Sequence, residues 1–328
     1  MTIRFAVLCV VVCTILMVWA DFSKADDSVF ADAKPTMVLE EGAGEGPAWD
    51  PKLGLLFSGH LGITRLDLEG KVTVFREMAG TNGLLFDARG RLLSCVPVQR
   101  HVSRTEPDGS LVVLAEKFDG MRFNQPNDIT VDSKGRIYFS DPKYGPRTNM
   151  EMLDEDGKQV EGVYRIDLDG KVSRVITHEA DRPNGVFVTP DDKWLYVADN
   201  NNNDRGGARK LWRFRLKKNG DLKLKSRKLI FDWGDGRGPD GMVLDAAGRL
   251  YVAGGLNKSR APIETNKLLG GVYVFSADGK KIDFVHIPRD EVTNCTFGGP
   301  DLKTLYVTAG GTLWSIRTKT AGATPWPK

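Results

Sequence analysis

The sequence predicts an all-β fold, a six-bladed β-propeller with four antiparallel strands in each blade. Three observations support this prediction. A short unit, in which an Asp opens a turn and a β-rich stretch follows, recurs six times within the 328 residues. Asp-Gly and Asn-Gly pairs separate β-rich runs, which is typical of hairpins. No long segment shows helical periodicity together with capping residues.

The repeated unit has the same arrangement in every copy and ends in a small residue. The six copies occupy residues 50–58, 87–94, 132–140, 191–198, 245–253 and 301–308. Successive copies begin 37 to 59 residues apart, which is enough chain for four short strands and their loops. A β-sandwich of two domains is the alternative. It gives no reason for a hairpin and its flanks to recur together, so the repeat favours the propeller.

A closed ring requires one end of the chain to complete a blade that the other end began. The sixth repeat has predicted strands at residues 305–308 and 313–316, with no obvious outer strand after them. We therefore predict that residues 37–39 supply the outer strand of the last blade.

The first 25 residues have the pattern of a secretory signal peptide. Arg4 precedes an apolar run over residues 5–20, and small residues at 23 and 25 fit a cleavage site. A retained membrane anchor is the alternative, but a run of about 16 residues is short for a spanning helix. We expect a cleaved signal over residues 1–25, one propeller domain over residues 26–328, and a periplasmic or secreted protein with no membrane association after cleavage.

Charge and cysteine content narrow the range of partners. The chain has 46 Lys and Arg against 43 Asp and Glu, and this balance gives no reason to propose nucleic acid or an anionic membrane as a partner. Only Cys95 and Cys295 lie beyond the predicted signal. Export would permit a disulfide between them, but we favour two small buried residues at strand positions.

An oxygen-bearing side chain opens the innermost predicted strand of every repeat. Because innermost strands line the channel of a propeller, these side chains should converge at one mouth. Turn chemistry explains Asn or Asp at a single position, but it does not explain the recurring register or a Glu in the first repeat. The six residues are Glu45, Asn82, Asn127, Asn184, Asp240 and Asn294.

This set has the chemistry of a site for a hard cation. Carboxylate and amide oxygens are the ligands that Ca²⁺, Mg²⁺ and Mn²⁺ prefer. The set contains no His or Cys, which disfavours a structural zinc site. We predict one divalent metal ion, with Ca²⁺ first and Mg²⁺, Mn²⁺ or Zn²⁺ as alternatives.

Six motifs around these residues occur in order along the chain. Together they resemble the senescence marker protein, gluconolactonase and luciferin-regenerating enzyme-like family, and within it the bacterial gluconolactonases. The resemblance extends from about residue 38 to residue 316. The motifs are Glu45-Gly-Pro-Ala-Trp49, Arg122-Phe-Asn-Gln-Pro-Asn-Asp-Ile129, Phe139-Ser-Asp-Pro-Lys-Tyr-Gly145, Arg182-Pro-Asn-Gly185, Pro239-Asp-Gly-Met242 and Cys295-Thr-Phe-Gly-Gly-Pro-Asp301.

The resemblance implies a six-bladed propeller with one catalytic divalent metal and a sugar lactone as substrate. It implies Glu45, Asn184 and Asp240 as the metal ligands, with Asp240 also acting as general acid and base. It implies that Asn127 contacts the substrate or the water on the metal, and that Arg122 contacts the substrate.

The expected reaction is hydrolysis of a lactone, in which the metal polarises the carbonyl or the attacking water and Asp240 exchanges the proton. No Gly-x-Ser-x-Gly motif is present, so a covalent serine mechanism is not favoured. Two alternatives stay open: a related propeller hydrolase for aryl esters or organophosphates, and a non-catalytic propeller that binds a sugar, a peptide or calcium.

Three adjacent repeats have long connections between their second and third strands, at residues 141–162, 199–210 and 254–270. Strand direction places these connections on the same face as the metal, so we predict a lid or specificity wall. Tyr144 is predicted to contact the substrate, with Arg147 and Asn257 as further candidates. The Asn run at 200–203 is either a polar binding edge or a solvated loop.

Overall fold

A computed structural model describes residues 28–148 and 150–324. The signal peptide predicted at residues 1–25 lies outside these described residues. In the described part of the chain every regular element is a β-strand. Over the same residues, no helix is long and apolar enough to span a membrane.

Six four-stranded antiparallel sheets confirm the prediction of a six-bladed β-propeller. The first strand, β1 (Thr36–Ala43), belongs to the last blade. Blade one contains β2 (Glu45–Asp50), β3 (Gly54–Gly59), β4 (Gly62–Leu66) and β5 (Val72–Glu77). Blade two contains β6 (Leu84–Phe86), β7 (Leu92–Val96), β8 (His101–Thr105) and β9 (Leu111–Ala115). A small hairpin of β10 (Lys117–Phe118) and β11 (Met121–Arg122) follows.

The remaining four blades continue in chain order. Blade three contains β12 (Ile129–Val131), β13 (Ile137–Asp141), β14 (Gly162–Ile166) and β15 (Val172–Ile176). Blade four contains β16 (Pro183–Val188), β17 (Trp194–Asn200), β18 (Arg209–Leu216) and β19 (Leu222–Asp232). Blade five contains β20 (Pro239–Leu244), β21 (Leu250–Gly254), β22 (Gly271–Phe275) and β23 (Lys281–His286). Blade six contains β24 (Val292–Gly298), β25 (Thr304–Ala309) and β26 (Gly311–Arg317), and β1 completes it.

The ring closes through the N-terminal part of the chain, as predicted. Strand β1 pairs antiparallel with β26, so that Met37 lies opposite Trp314. The backbone N–H of Ala31 donates to the carbonyl of Arg317 at 2.8 Å, which extends the closure beyond the sheet. Since residues from both chain ends share one blade, unfolding of either end opens the ring.

The apolar core lies between adjacent blades. Aromatic rings dominate the layer beside blade three, where Phe123, Phe139 and Tyr164 pack with ring centroids 5.0 to 5.6 Å apart. Each fully buried ring contributes about 1.5–3 kcal/mol of transfer free energy. Cys95 and Cys295 are free and buried in two different clusters, which confirms their interpretation as small core residues.

The direction of the strands determines at which end of the channel the three long connections lie. The innermost strands β2, β6, β12, β16, β20 and β24 all begin at the same end of the channel. The chain returns to that end after each second strand, because neighbouring strands are antiparallel. The three long connections, which follow β13, β17 and β21, therefore stand around the mouth at which the innermost strands begin.

Candidate metal and substrate site

The three predicted metal ligands lie at one mouth of the channel. Glu45 is the first residue of β2, while Asn184 and Asp240 are each the second residue of their strands. Asn184 and Asp240 are buried, at 4% and 3% exposure, and Glu45 is partly buried at the rim. Glu45 and Asp240 come from blades one and five, yet they are close enough for their charges to repel.

Glycines let the innermost strands approach each other this closely. A Cβ on Gly185 would lie 2.1 Å from the carbonyl oxygen of Asp240, and a Cβ on Gly46 would lie 2.1 Å from that of Asn82. A Cβ on Gly241 would lie 1.9 Å from Cγ of Asn294. A side chain at any of these positions would push neighbouring blades apart, so the glycine that follows each site residue sets the width of the mouth.

Burial raises the pKa of both acidic groups at the mouth. Burial raises the pKa of Asp240 to about 7, against the opposing charge of Arg237. Burial, followed by the charge of Asp240, raises the pKa of Glu45 well above its ordinary value. Carboxylates that repel each other in a desolvated site favour the binding of a cation, because the cation stabilises both ionised forms.

The residues present fit a divalent metal ion. The Oδ1 atom of Asp240 is buried and has no hydrogen-bond partner among the described residues, which is costly without a ligand. Its Oδ2 accepts from the side-chain amide of Asn200 at 3.2 Å. Across the described ranges no three His, Cys, Asp or Glu side chains are grouped to hold a metal. The predicted set contains two carboxylates, from Glu45 and Asp240, and the amide oxygen of Asn184 as the third ligand, a combination that hard cations permit.

Asn200, the first residue of the Asn run, lies against the side chain of Asp240. Asn200 is fully buried, and its amide also donates to the carbonyl of Pro239 at 2.8 Å. Asn202 donates in turn to the Oδ1 atom of Asn200, and its own Oδ1 accepts from the backbone of Gly238 at 2.8 Å. Asn200 and Asn202 thus form a buried brace for the segment that carries Asp240, whereas Asn203 at the end of the run is exposed.

A third acidic residue, Asp128, lies in the channel below the three predicted ligands. It is 9% exposed, and its Oδ2 accepts from the backbone N–H of Val186 at 2.9 Å. Burial raises its pKa to about 6. In the sequence, the position of Asp128 in the repeat is the feature that could have identified it as a site residue. Asp128 follows Asn127 at the place where blades one, two, four and five have a glycine after the site residue.

The predicted substrate contacts lie at different distances from this centre. Asn127 is buried where blade three begins, and its backbone N–H donates to Ser140 at 2.9 Å. Tyr144 lies at the centre, because its hydroxyl accepts from the amide nitrogen of Asn184 at 2.5 Å. Arg122 lies in the β10–β11 hairpin, where its guanidinium donates to the carbonyl of Gln99 at 2.9 Å. The structure therefore brings Tyr144 to the ligands, while Arg122 is held toward blade two.

The three long connections contact one another and form a continuous wall. Arg147 in the first reaches Asp204 in the second at 3.4 Å. Arg209, at the end of the second, donates to the carbonyl of Ile263 in the third at 2.9 Å. Asn257 donates to the backbone of the segment after β23 at 3.0 Å. Arg147 and Asn257 are thus engaged in loop structure, and the wall is pre-formed.

An apolar cavity of about 560 Å³ fills the channel below the mouth. Its lining includes the rings of Trp49, Phe86, Phe187 and Phe297. A sugar lactone carries several hydroxyls that lose free energy in apolar surroundings without hydrogen-bond partners. Such a substrate suits the polar mouth and not this cavity.

Comparison with known proteins agrees with the motifs. The SMP-30/gluconolactonase/LRE-like region matches residues 43–311. A gluconolactonase of Zymomonas mobilis is 32% identical over 255 residues, covering 76% of this chain and 65% of that protein. A pentonolactonase of Haloferax volcanii is 27% identical, covering 82% of this chain and 81% of that protein.

Solved structures show the same architecture. A gluconolactonase of Xanthomonas campestris superimposes with a TM-score of 0.73 and 29% sequence identity, covering 90% of this chain and 93% of that one. The matched region of the present chain includes all three candidate ligands and the wall around them.

Proposed function

The chain belongs to the SMP-30/gluconolactonase/LRE-like family, and on this premise we propose that it hydrolyses the ester bond of a sugar lactone. The observation that carries the proposal is the convergence of Glu45, Asn184 and Asp240 at a polar mouth, inside the region that the family shares. The relatives described above are named for lactones of six-carbon and five-carbon sugar acids. An aldonolactone is therefore the substrate class we propose.

We propose that Glu45, Asn184 and Asp240 hold one divalent ion, with Ca²⁺ as the first candidate. Two carboxylates and one amide oxygen suit a hard cation, and the unpartnered Oδ1 atom of Asp240 gives it a ready donor. When bound, such an ion supplies a Lewis acid that polarises an ester carbonyl or lowers the pKa of water.

The chain's own residues supply orientation and proton transfer. We propose Asp240 as the group that accepts a proton from the attacking water and returns it to the leaving hydroxyl. Burial raises the pKa of Asp240 to about 7 without metal, and a bound cation favours the ionised form, which is the form that accepts the proton. Asn127 and the phenol of Tyr144 face the same mouth and are proposed to hydrogen-bond the hydroxyls of the sugar. The wall excludes water from one side and orients the ring.

Acid release from gluconolactone and from a pentonolactone tests this function. Chelator-treated protein should hydrolyse neither lactone above the spontaneous rate, and an added divalent ion should restore hydrolysis. Asp240→Asn should remain folded and inactive. Asp191→Asn is the matched control, because Asp191 lies in the β16–β17 turn at the opposite end of blade four. If folded wild-type protein hydrolyses neither lactone with added Ca²⁺, Mg²⁺, Mn²⁺ or Zn²⁺, the proposed function is wrong.

We also propose that the protein is exported. The support is the charged start, the apolar run over residues 5–20 and the small residues that follow. N-terminal sequencing of the protein recovered outside the cytoplasm should begin near residue 26. A retained N-terminus on membrane-bound protein would favour the anchor instead.

A further inference from the structure

We propose that the buried ion pair of Glu161 and Arg182 is a positioning device for the site, acting on the metal ligand Asn184 through Tyr144. The inference rests on the metal-binding role proposed above. The sequence motifs predict a substrate contact for Tyr144 and no role for Glu161 or Arg182. The structure joins all four residues by direct contacts.

The ion pair is buried to a degree that is rare for charged residues. The side chains of Arg182 and Glu161 are 1% and 2% exposed, and Arg182 Nε lies 2.9 Å from Glu161 Oε2. Arg182 Nη1 has no hydrogen-bond partner in the described part of the chain. Two charges removed from water stabilise a fold little compared with apolar residues of similar volume. Their placement beside the site is therefore better explained by positioning than by stability.

Glu161 reaches the wall segment that carries Tyr144. Its Oε2 accepts from the backbone N–H of Lys143 at 2.8 Å, and its Oε1 accepts from Arg147. Lys143 directly precedes Tyr144 in sequence. One buried carboxylate therefore fixes both the start of the wall and the guanidinium of Arg182, which lies two residues before Asn184.

The backbone N–H, the ring and the hydroxyl of Tyr144 each contact a different residue. Its backbone N–H donates to the side-chain carbonyl of Gln125 at 2.7 Å. Its ring lies under the guanidinium of Arg182, with Cζ 5.6 Å from the ring centroid. Its hydroxyl accepts from the Asn184 amide nitrogen at 2.5 Å. A cation held over a ring is attracted to the ring face, so Arg182 keeps the phenol at the distance that Asn184 requires.

This contact has a direct consequence for metal ligation. When the amide nitrogen of Asn184 is held by the phenol, the carbonyl oxygen of the same amide points away from it and is free for the ion. The phenol's own proton also stays available for a substrate oxygen. Outer contacts of this kind typically change metal affinity by roughly 10- to 100-fold.

A double-mutant cycle on Ca²⁺ binding tests the inference. Calorimetric titration of the full mature protein gives the dissociation constant for wild type, Tyr144→Phe, Glu161→Gln and the double variant. Each single change should weaken Ca²⁺ binding roughly tenfold. The double variant should bind about as well as Tyr144→Phe alone, because the ion pair acts through the hydroxyl that Phe lacks.

The control is a matched buried ion pair at the other end of blade three. Asp132 and Arg136 lie 2.5 Å apart with side chains 0% and 9% exposed, and Asp132→Asn should lower stability without changing Ca²⁺ affinity. If Glu161→Gln does not fold, Arg182→Lys serves, since it keeps the pair's charges and loses the planar face over Tyr144.

The outcomes separate this inference from the proposed function. Wild-type protein that binds none of Ca²⁺, Mg²⁺ and Mn²⁺ would overturn the metal role and this inference with it. Wild-type binding with unchanged affinity in Tyr144→Phe would overturn the inference alone. Independent effects, in which the double variant is weaker by the product of the two single changes, would show that the ion pair does not act through Tyr144.

Discussion

Metal affinity should depend steeply on pH, and the structure gives the direction. As a proposed metal ligand, Asp240 would bind a cation only when it is ionised, and burial raises its pKa to about 7. Lowering the pH below this value makes the ion compete with a proton for the same carboxylate. Affinity should therefore fall as the solution is acidified from pH 8 to pH 5.

The size of the loss in affinity follows from the difference between the pH of the solution and the pKa of Asp240. With a pKa of about 7, the carboxylate of Asp240 would be ionised in roughly one molecule in 100 at pH 5, and the apparent dissociation constant should rise on the order of 100-fold, or about 2.7 kcal/mol. Glu45, whose pKa is also raised, adds to the loss in the same direction. A pair of ordinary exposed carboxylates would lose little affinity over this interval, because both would stay largely ionised.

The same shift gives the sign of the pH dependence of stability without metal. The pKa of Asp240 is higher in the folded protein than its ordinary value of 3.8, so the folded state keeps a proton that the unfolded chain has released. This contribution to stability is complete below about pH 4 and is lost as pH rises through about 7. Chelated protein should therefore lose thermal stability over this interval, and Ca²⁺ should restore it.

Calorimetric titration with Ca²⁺ at constant ionic strength, in steps from pH 5 to pH 8, measures the effect. Asp240→Asn is the informative comparison, since it should bind weakly and lose most of the pH dependence. A wild-type dissociation constant that changes less than about threefold over these steps would refute the reasoning, because the shift of Asp240 requires about 100-fold.

Two further predictions concern the scaffold of the mouth. Gly241→Ala should lower the free energy of unfolding by about 1–3 kcal/mol, because the new Cβ would lie 1.9 Å from Cγ of Asn294. Urea unfolding measures this change, and a variant as stable as wild type would show that the blades can separate. Asp141→Asn should cost about 1–3 kcal/mol, because the carboxylate accepts from the backbones of Asn124 and Gln125 at 2.7 and 2.8 Å. An amide has one acceptor atom for these two donors, and an unchanged melting temperature would contradict this account.

The fold could be predicted from the sequence because each repeat encodes its own strands and turns locally. Each copy of the turn unit, such as residues 132–140, encodes its own hairpin through Asp, Gly and β-rich residues, whatever the rest of the chain does. The outer strand at residues 37–39 followed from counting strands, and β1 occupies that place. Ring closure then had only one solution with four strands in every blade.

The site was only partly accessible in this way. The register of Glu45, Asn184 and Asp240 could be read from the repeat, and the structure places them at one mouth. Asn200 could not be distinguished from a solvated Asn, because its burial depends on contacts with Pro239 in the next blade. Tyr144 was identified as a residue of the mouth, but its contact with Asn184 spans 40 positions along the chain.

The sequence by itself therefore determined the number of blades, the strand that closes the ring and the register of polar residues at one mouth. These depend on short-range turn and strand chemistry, which each repeat carries independently. Only the tertiary structure decided which side chains touch, such as Asn294 and Glu45, which are 249 positions apart in the chain and 3.3 Å apart at the mouth. Such contacts arise from closure of the ring, and the distance between blades is set by every glycine and side chain around it.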